Sequence, residues 1–193
     1  MNSLAEIEKW LKEHAINNYL ISEDFYITVQ GNVNLNKKLS VKKLPVKFKM
    51  VDGFFDISNN GLTSLDGCPK TITGDFNCSR NSLVSLFEGP TEVSDFDCSY
   101  NQLTSLEFGP SIVERGYDCA YNKLTNLIGS PDKVNWKFNC YNNKLTTLEG
   151  VPSQLGNYLD CSDNELTSLD HCPTNVTKLY CNGNPISKWW NQV

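Results

Sequence analysis

Apolar and polar positions follow one order along most of this chain, and that order returns every 20 or 21 residues. From Phe55 it reads apolar–x–Cys–x–x–Asn–x–Leu–x–x–Leu, then a Pro and, three residues later, another apolar side chain. The asparagines stand at Asn60, Asn81, Asn101, Asn122, Asn143, Asn164 and Asn184, spaced 21, 20, 21, 21, 21 and 20 apart. The prolines are Pro69, Pro90, Pro110, Pro131, Pro152 and Pro173, each followed by Ile72, Val93, Val113, Val134, Leu155 or Val176. Both 20-residue units drop a residue at the same place, between that apolar position and the next apolar–x–Cys step. A slip confined to one place keeps every other position in register, as stacked turns require. The apolar–x–Cys step puts two side chains on one face and predicts a short strand in each unit. One unit cannot bury that face alone, so the pattern predicts a solenoid whose parallel strands stack into a continuous core.

A polar residue in a buried slot needs a reason. The Asn amide can pair with backbone groups of the bend that no strand ladder reaches, and leaving such a group unpaired costs about 1–3 kcal/mol. The column is therefore expected to turn inward as structure, not as chemistry.

Six cysteines share another column: Cys78, Cys98, Cys119, Cys140, Cys161 and Cys181, with Ile57 in the same slot one unit earlier. The isoleucine says that the slot asks for an apolar filler, and a free thiol is one. Thiols strung along a line do not converge as four metal ligands must, and no C-x-x-C pair occurs. Parallel neighbouring side chains also suit the disulfide dihedral poorly. The column reads as core, with no metal, no cofactor and no redox role expected. Cys68 and Cys172 precede Pro in a column that otherwise holds Gly89, Gly109, Ser130 and Val151, where a small residue is the demand.

The stretch "FDCSYNQLTSL" resembles the leucine-rich repeat, whose core is L-x-x-L-x-L-x-x-N-x-L at 20–29 residues per unit. The resemblance covers residues 33–189, at the short end of that range, similar to repeats of bacterial effectors and tailed-phage proteins. It implies an α/β-type solenoid with short parallel strands and a mostly irregular convex side. Residues 33–184 are then the solenoid, the first unit being degenerate: it keeps Leu35, Leu39, Leu44 and Pro45, lacks the Asn and carries a small insertion before Val51.

The two ends are expected to be caps, 1–32 and 185–193. "SLAEIEKWLKEH" opens with Ser3 and, three residues on, Glu6, a capping box, and Leu4, Ile7 and Leu11 with Trp10 make an apolar face. "DFYITVQGNVNL" alternates Phe25, Ile27 and Val29 and predicts a strand or hairpin. At the far end Ile186 and Trp189 fall where units place their leucines, with Trp190 positioned to shield the last turn.

Charge changes the picture more than bulk composition does. Residues 1–53 carry eight Lys against six Asp/Glu, while residues 54–193 carry nine Lys/Arg against sixteen Asp/Glu. The acidic excess therefore lies on the repeats. Lys37, Lys38, Lys42, Lys43, Lys47 and Lys49 form a basic stretch without Arg, expected to be a solvated face; an anionic partner is the alternative. No apolar run is long enough to span a membrane, and Glu6, Glu8 and Glu13 interrupt the first residues as no signal peptide allows. The expected compartment is the cytoplasm, that of the host if the gene is phage-borne, where the cysteines stay thiols.

Function should lie on positions that the repeat leaves free. Between the apolar residue and Cys stand Asp56, Asn77, Asp97, Asp118, Asn139, Asp160 and Tyr180; just before the apolar residue stand Phe54, Asp75, Asp95, Gly116, Lys137, Tyr158 and Lys178. Two residues after Cys come Arg80, Tyr100, Tyr121, Asn142, Asp163 and Gly183, and Tyr141 interrupts the small residues directly after Cys. Neighbouring strands lie about 4.8 Å apart, so like charges would stack, an arrangement that packing does not demand. The expectation is a concave acidic patch bearing tyrosines that binds a protein with a basic patch. Its residues are Asp56, Asp75, Asp95, Asp97, Asp118, Asp160, Tyr100, Tyr121, Tyr141, Tyr158 and Tyr180. Catalysis is not expected: the two histidines, His14 and His171, face no exposed thiol, and no phosphate-cradling loop occurs. The resemblance implies a phage or bacterial binding module that inhibits a host defence protein. The alternatives are an acidic mimic of nucleic acid and a structural spacer; no nucleic-acid or membrane partner is expected.

Overall fold

The computed structural model describes residues 3–186. The chain winds as a β-solenoid behind one N-terminal helix, its turns joined by two eight-stranded sheets. One sheet holds the predicted strands, among them Phe55–Asp56, Phe76–Asn77, Phe96–Asp97, Tyr117–Asp118, Lys137–Asn139, Tyr158–Asp160 and Lys178–Tyr180. Neighbours pair in parallel at the register that the repeat requires: Phe76 opposite Phe96, Tyr117 opposite Phe138, Leu159 opposite Leu179. We call this the Cys ladder.

The opposite side differs from the expectation of a mostly irregular surface. The apolar residue after each Pro belongs to a second parallel ladder, through Thr71–Ile72, Glu92–Val93, Ile112–Val113, Lys133–Val134 and Gln154–Leu155. Ile72, Val93, Val113, Val134 and Leu155 point inward there and are buried. Each turn is thus clamped twice, and a core of aromatic rings runs between the ladders. Trp10, Phe48, Phe55, Phe76, Phe96, Tyr117 and Phe138 form a chain of ring contacts 4.9 to 6.4 Å apart.

The asparagines do what the buried slot requires. Asn122 donates to the carbonyls of Cys98, Cys119 and Ala120 at 3.1, 3.1 and 3.3 Å, and its Oδ1 accepts from Leu103 N–H at 2.9 Å. Every such amide stitches its own turn to the one before. The first two, Asn60 and Asn81, are half-buried; Asn101 onward are buried. Cys78, Cys98, Cys119, Cys140 and Cys161 are fully buried free thiols, as is Ile57 in the equivalent slot, whereas Cys181 and Cys172 are only half-buried.

At the N-terminus, helix α1 (Leu4–Glu13) starts at Ser3, whose Oγ accepts from Glu6 N–H at 3.3 Å. Ile7, Trp10 and Leu11 close the end of the core, but Leu4 is exposed, one turn too early to reach it. Tyr19–Ile21 and Tyr26–Gln30 form an antiparallel hairpin. Phe25 is not part of it: it sits in the turn with φ +63° and its side chain outside. In the irregular first turn Leu35, Leu39, Leu44 and Val51 are all buried. Of the expected C-terminal residues, Ile186 is buried, while Trp189 and Trp190 lie outside the described residues.

Candidate functional site

The outer side chains of the Cys ladder hold most of the residues singled out by sequence, and the ladder register brings Asp56, Asn77, Asp97, Asp118, Asn139 and Asp160 into one column. Their Oδ1 atoms share one task that sequence reasoning missed. Each accepts the N–H of the residue two positions on: Ser58, Ser79, Ser99, Ala120, Tyr141 and Ser162, at 2.9 to 3.1 Å. This is an Asx turn, available to Asp and Asn alike. It ends the strand, and it explains why the two residue types alternate. The column thus has a structural reason after all, contrary to the expectation that packing does not demand it.

The charges in the column are also moderated. Asn139 Nδ2 donates to Asp118 Oδ2 at 2.9 Å. Burial pushes the Asp118 carboxyl above the usual carboxylate range, against the Ala120 N–H and the Asn139 amide, which pull it down. Asp75 and Asp95 do not repel unopposed: Arg115 Nη2 reaches Asp75 Oδ1 at 2.7 Å and Asp95 Oδ2 at 2.5 Å. The guanidinium is held above its ordinary value by Asp95 first and Asp75 second. The neighbouring Gly116 N–H donates to Asp95 Oδ1 at 2.8 Å, and a Cβ at Gly116 would lie 2.6 Å from that oxygen. Only glycine lets the carboxylate approach so closely. The bridge spans 40 residues of sequence, and nothing in the repeat signals it.

The tyrosines are placed differently. The residue two after Cys has a left-handed backbone in every turn: φ is +59° at Asn59, +54° at Arg80, +54° at Tyr100, +55° at Tyr121, +52° at Asn142, +52° at Asp163 and +73° at Gly183. Asn, Asp and Gly suit that conformation; bulky side chains do not. Three successive turns nevertheless place Arg80, Tyr100 and Tyr121 there. The Arg80 guanidinium lies 4.0 Å from the Tyr100 ring centroid, Tyr100 stacks on Tyr121 at 4.1 Å, and Tyr141 meets Tyr121 edge-on at 5.2 Å. The Asp163 carboxylate beside it, with Tyr121, holds the Tyr141 phenol up to about 12. The result is a continuous strip of one cation and three rings, Arg80, Tyr100 and Tyr121 exposed and Tyr141 half-buried. Arg80 belongs to the strip although sequence did not single it out, and the strip could have been read from bulky residues interrupting an Asn/Asp/Gly column.

Tyr158 and Tyr180 form a separate pair, 5.1 Å apart, and Tyr158 O–H donates to Asp160 Oδ2 at 3.1 Å. Trp136, which sequence reasoning passed over, is exposed beside them. On another edge Phe87 and Phe108 meet edge-to-face at 5.5 Å in solvent. The basic stretch is exposed and partly engaged: Lys43 pairs with Asp66 at 2.7 Å, and Lys38 donates to Asn34 O. No group of His, Cys, Asp or Glu that could hold a metal ion occurs among the described residues, and no helix among them is long and apolar enough to cross a membrane. No protein-family model matches the chain, and no curated protein matches it.

Proposed function

We propose that this chain is a non-catalytic binding module that recognises a protein through the outer face of the Cys ladder, centred on Tyr100, Tyr121 and Tyr141. The observation that carries the reading is the strip itself. Two tyrosines and an arginine occupy a backbone slot that disfavours them, stack in solvent, and leave the core and the ladders untouched. Unfavourable backbone at an exposed position points to function when the fold does not need it, and Tyr and Arg are the side chains that anchor protein interfaces. Eight strands make a face about 35–40 Å long, enough for a standard interface of about 800 Å² per partner. Asp97 and Asp118 beside the strip leave it net acidic, which suits a partner with basic groups facing them. The resemblance to short leucine-rich repeats of bacterial and phage proteins supports a role in binding, and inhibiting, a host protein.

The test uses the immobilised chain against lysate of its source or host cell, compared with the double variant Tyr100→Asn/Tyr121→Asn, which puts a well-suited residue in each slot. One or more proteins retained by the native chain and lost by the variant is the expected result. Identical retention by both refutes the reading. Retention that disappears between low and moderate salt would instead favour the acidic mimic of nucleic acid.

A further inference from the structure

Among the described residues the two sheets end in four edge strands, each with a row of N–H and C=O groups turned away from its sheet. Three of these edges are guarded. On Val33–Asn34 the outward Asn34 carbonyl takes the Lys38 ammonium at 2.7 Å, and on Gln154–Leu155 the outward Leu155 carbonyl takes the Asn175 amide. Lys178–Tyr180 begins with a lysine, the side chain that most often protects an edge. The fourth, Tyr19–Ile21, has no such device: the stretch "AINNYLIS", residues 15–22, holds neither charge nor proline. Its outward groups can be named. Ser22 N–H donates to Tyr26 O at 2.9 Å and Gln30 N–H to Asn18 O at 2.8 Å, with Leu20 opposite Thr28 between them. Bonded positions in an antiparallel pair alternate, so 18, 20 and 22 face the hairpin partner while Tyr19 and Ile21 turn their N–H and C=O outward. Neither outward pair finds a hydrogen bond among the described residues. The side chains of Tyr19 and Ile21 are half-buried against the core. Leu20, on the opposite face, is 69% exposed, more than any other large apolar side chain described.

We infer that this edge takes a second copy of the chain, the two Tyr19–Ile21 strands running antiparallel about a two-fold axis at Leu20. In that register Tyr19 of each copy stands opposite Ile21 of the other, and each such pair exchanges both of its outward bonds. Leu20 meets its counterpart at the non-bonded position between them, where Cα atoms lie about 4.5 Å apart and side chains touch. A shift of one residue sets groups already used in the hairpin against open ones, and a shift of two keeps only one bonded pair. The charges allow the central register: Glu23 falls opposite Asn17 and Asp24 opposite Ile16, so no acid confronts an acid. A foreign segment finds no charge here to select or steer it, whereas a copy matches the spacing of the groups and closes both edges at once. The sheet of the second ladder then runs from one solenoid into the other, N-terminal end to N-terminal end. Three residues a side fall well short of a standard interface, so the association is weak and reversible, with a Kd of about 0.1–1 mM. The inference stands apart from the tyrosine strip; a dimer would carry two such strips.

The experiment follows the Tyr19 and Ile21 amides of the full chain by nuclear magnetic resonance as its concentration is raised to about 1 mM, with sedimentation equilibrium on the same samples. The inference expects a monomer–dimer equilibrium in which these two amides shift and gain protection from hydrogen exchange. Leu20→Lys, which sets one ammonium against another at the axis, should weaken it at least tenfold while leaving the melting temperature unchanged. Leu20→Cys should form a disulfide-linked dimer in mixed reduced and oxidised glutathione. Asn17→Cys, exposed but paired across the axis with Glu23, should do so no more than the native chain with its own thiols. Tyr100→Asn/Tyr121→Asn should dimerise like the native chain, so that failure of the strip and failure of the edge are separate results. A chain that stays monomeric, dimerisation that leaves both amides unchanged, or equal cross-linking of Asn17→Cys each overturns the inference. So does equal protection of the amides by the unrelated extended peptide acetyl-Thr-Val-Thr-Val-Thr-amide, which would make the edge a general acceptor of strands.

Discussion

The ring of Tyr100 stacks on that of Tyr121 with centroids 4.1 Å apart and planes 13° from parallel, while both residues hold a left-handed backbone. The stack is exposed, and Asn, Asp or Gly fills the same slot in four other turns. Tyr100→Asn/Tyr121→Asn should therefore leave the urea midpoint unchanged or slightly raised, because relief of the backbone offsets loss of the ring contact. A clear fall in midpoint would mean that the rings hold the fold together and stand in this slot for stability.

Asn122 should behave in the opposite way. Its amide reaches three carbonyls and one N–H inside the solenoid; the Ala120 carbonyl also takes the Tyr100 N–H, but alanine would strand the Cys98 and Cys119 carbonyls and the Leu103 N–H where water does not reach. With about 1–3 kcal/mol for each buried group left unpaired, Asn122→Ala should lose about 3 kcal/mol or more, measured by urea denaturation. Gln102, exposed on the bend one turn earlier, provides the contrast: Gln102→Ala should move the midpoint hardly at all.

Tyr117 is the one aromatic of the buried spine that carries a hydroxyl, and among the described residues that hydroxyl is buried without a hydrogen-bond partner. Burial, with the thiols of Cys98, Cys119 and Cys78 around it, drives the phenol far above its usual range. Removing the oxygen while keeping the ring should help: Tyr117→Phe is expected to gain about 1 kcal/mol, read as a higher melting temperature.

The thiol column makes stability fall at alkaline pH. Burial pushes Cys78, Cys98, Cys119 and Cys140 well above the ordinary thiol value and Cys161 up to about 12. With the folded values raised, the unfolded chain gives up its protons first. The contribution is complete below an ordinary thiol value of about 8.5 and drains away as pH climbs towards the folded values, at about 1.4 kcal/mol per pH unit for each thiol. Urea midpoints between pH 7.5 and 10.5 should drop steeply, and Cys98→Val/Cys119→Val should flatten the drop by two thiols' share. The slot accepts a branched side chain, as Ile57 demonstrates.

Much of this was legible because the repeat separates inward from outward positions. The Asn and Cys columns, the strand register and the end helix follow from spacing and residue type alone. What escaped did so for identifiable reasons. A two-residue strand such as Glu92–Val93 shows no alternation, so the second ladder left no trace beyond one apolar position after each Pro. The Asx turns were hidden because a single side chain both faces solvent and closes the backbone. Arg115 meets Asp75 and Asp95 only once two turns have stacked. Trp136 was passed over because the residues it lies beside, Tyr158 and Lys178, are a full turn or more away in sequence.

The Asn amides also set an order of events for a chain emerging from the ribosome. The N–H of Leu103 finds its acceptor only when Asn122 arrives, and the Leu124 N–H only with Asn143. Each bend is completed by the segment translated after it, so the newest turn always waits, unfinished, for its successor. At the growing tip one bend N–H is always left open, like the last tooth of a zip.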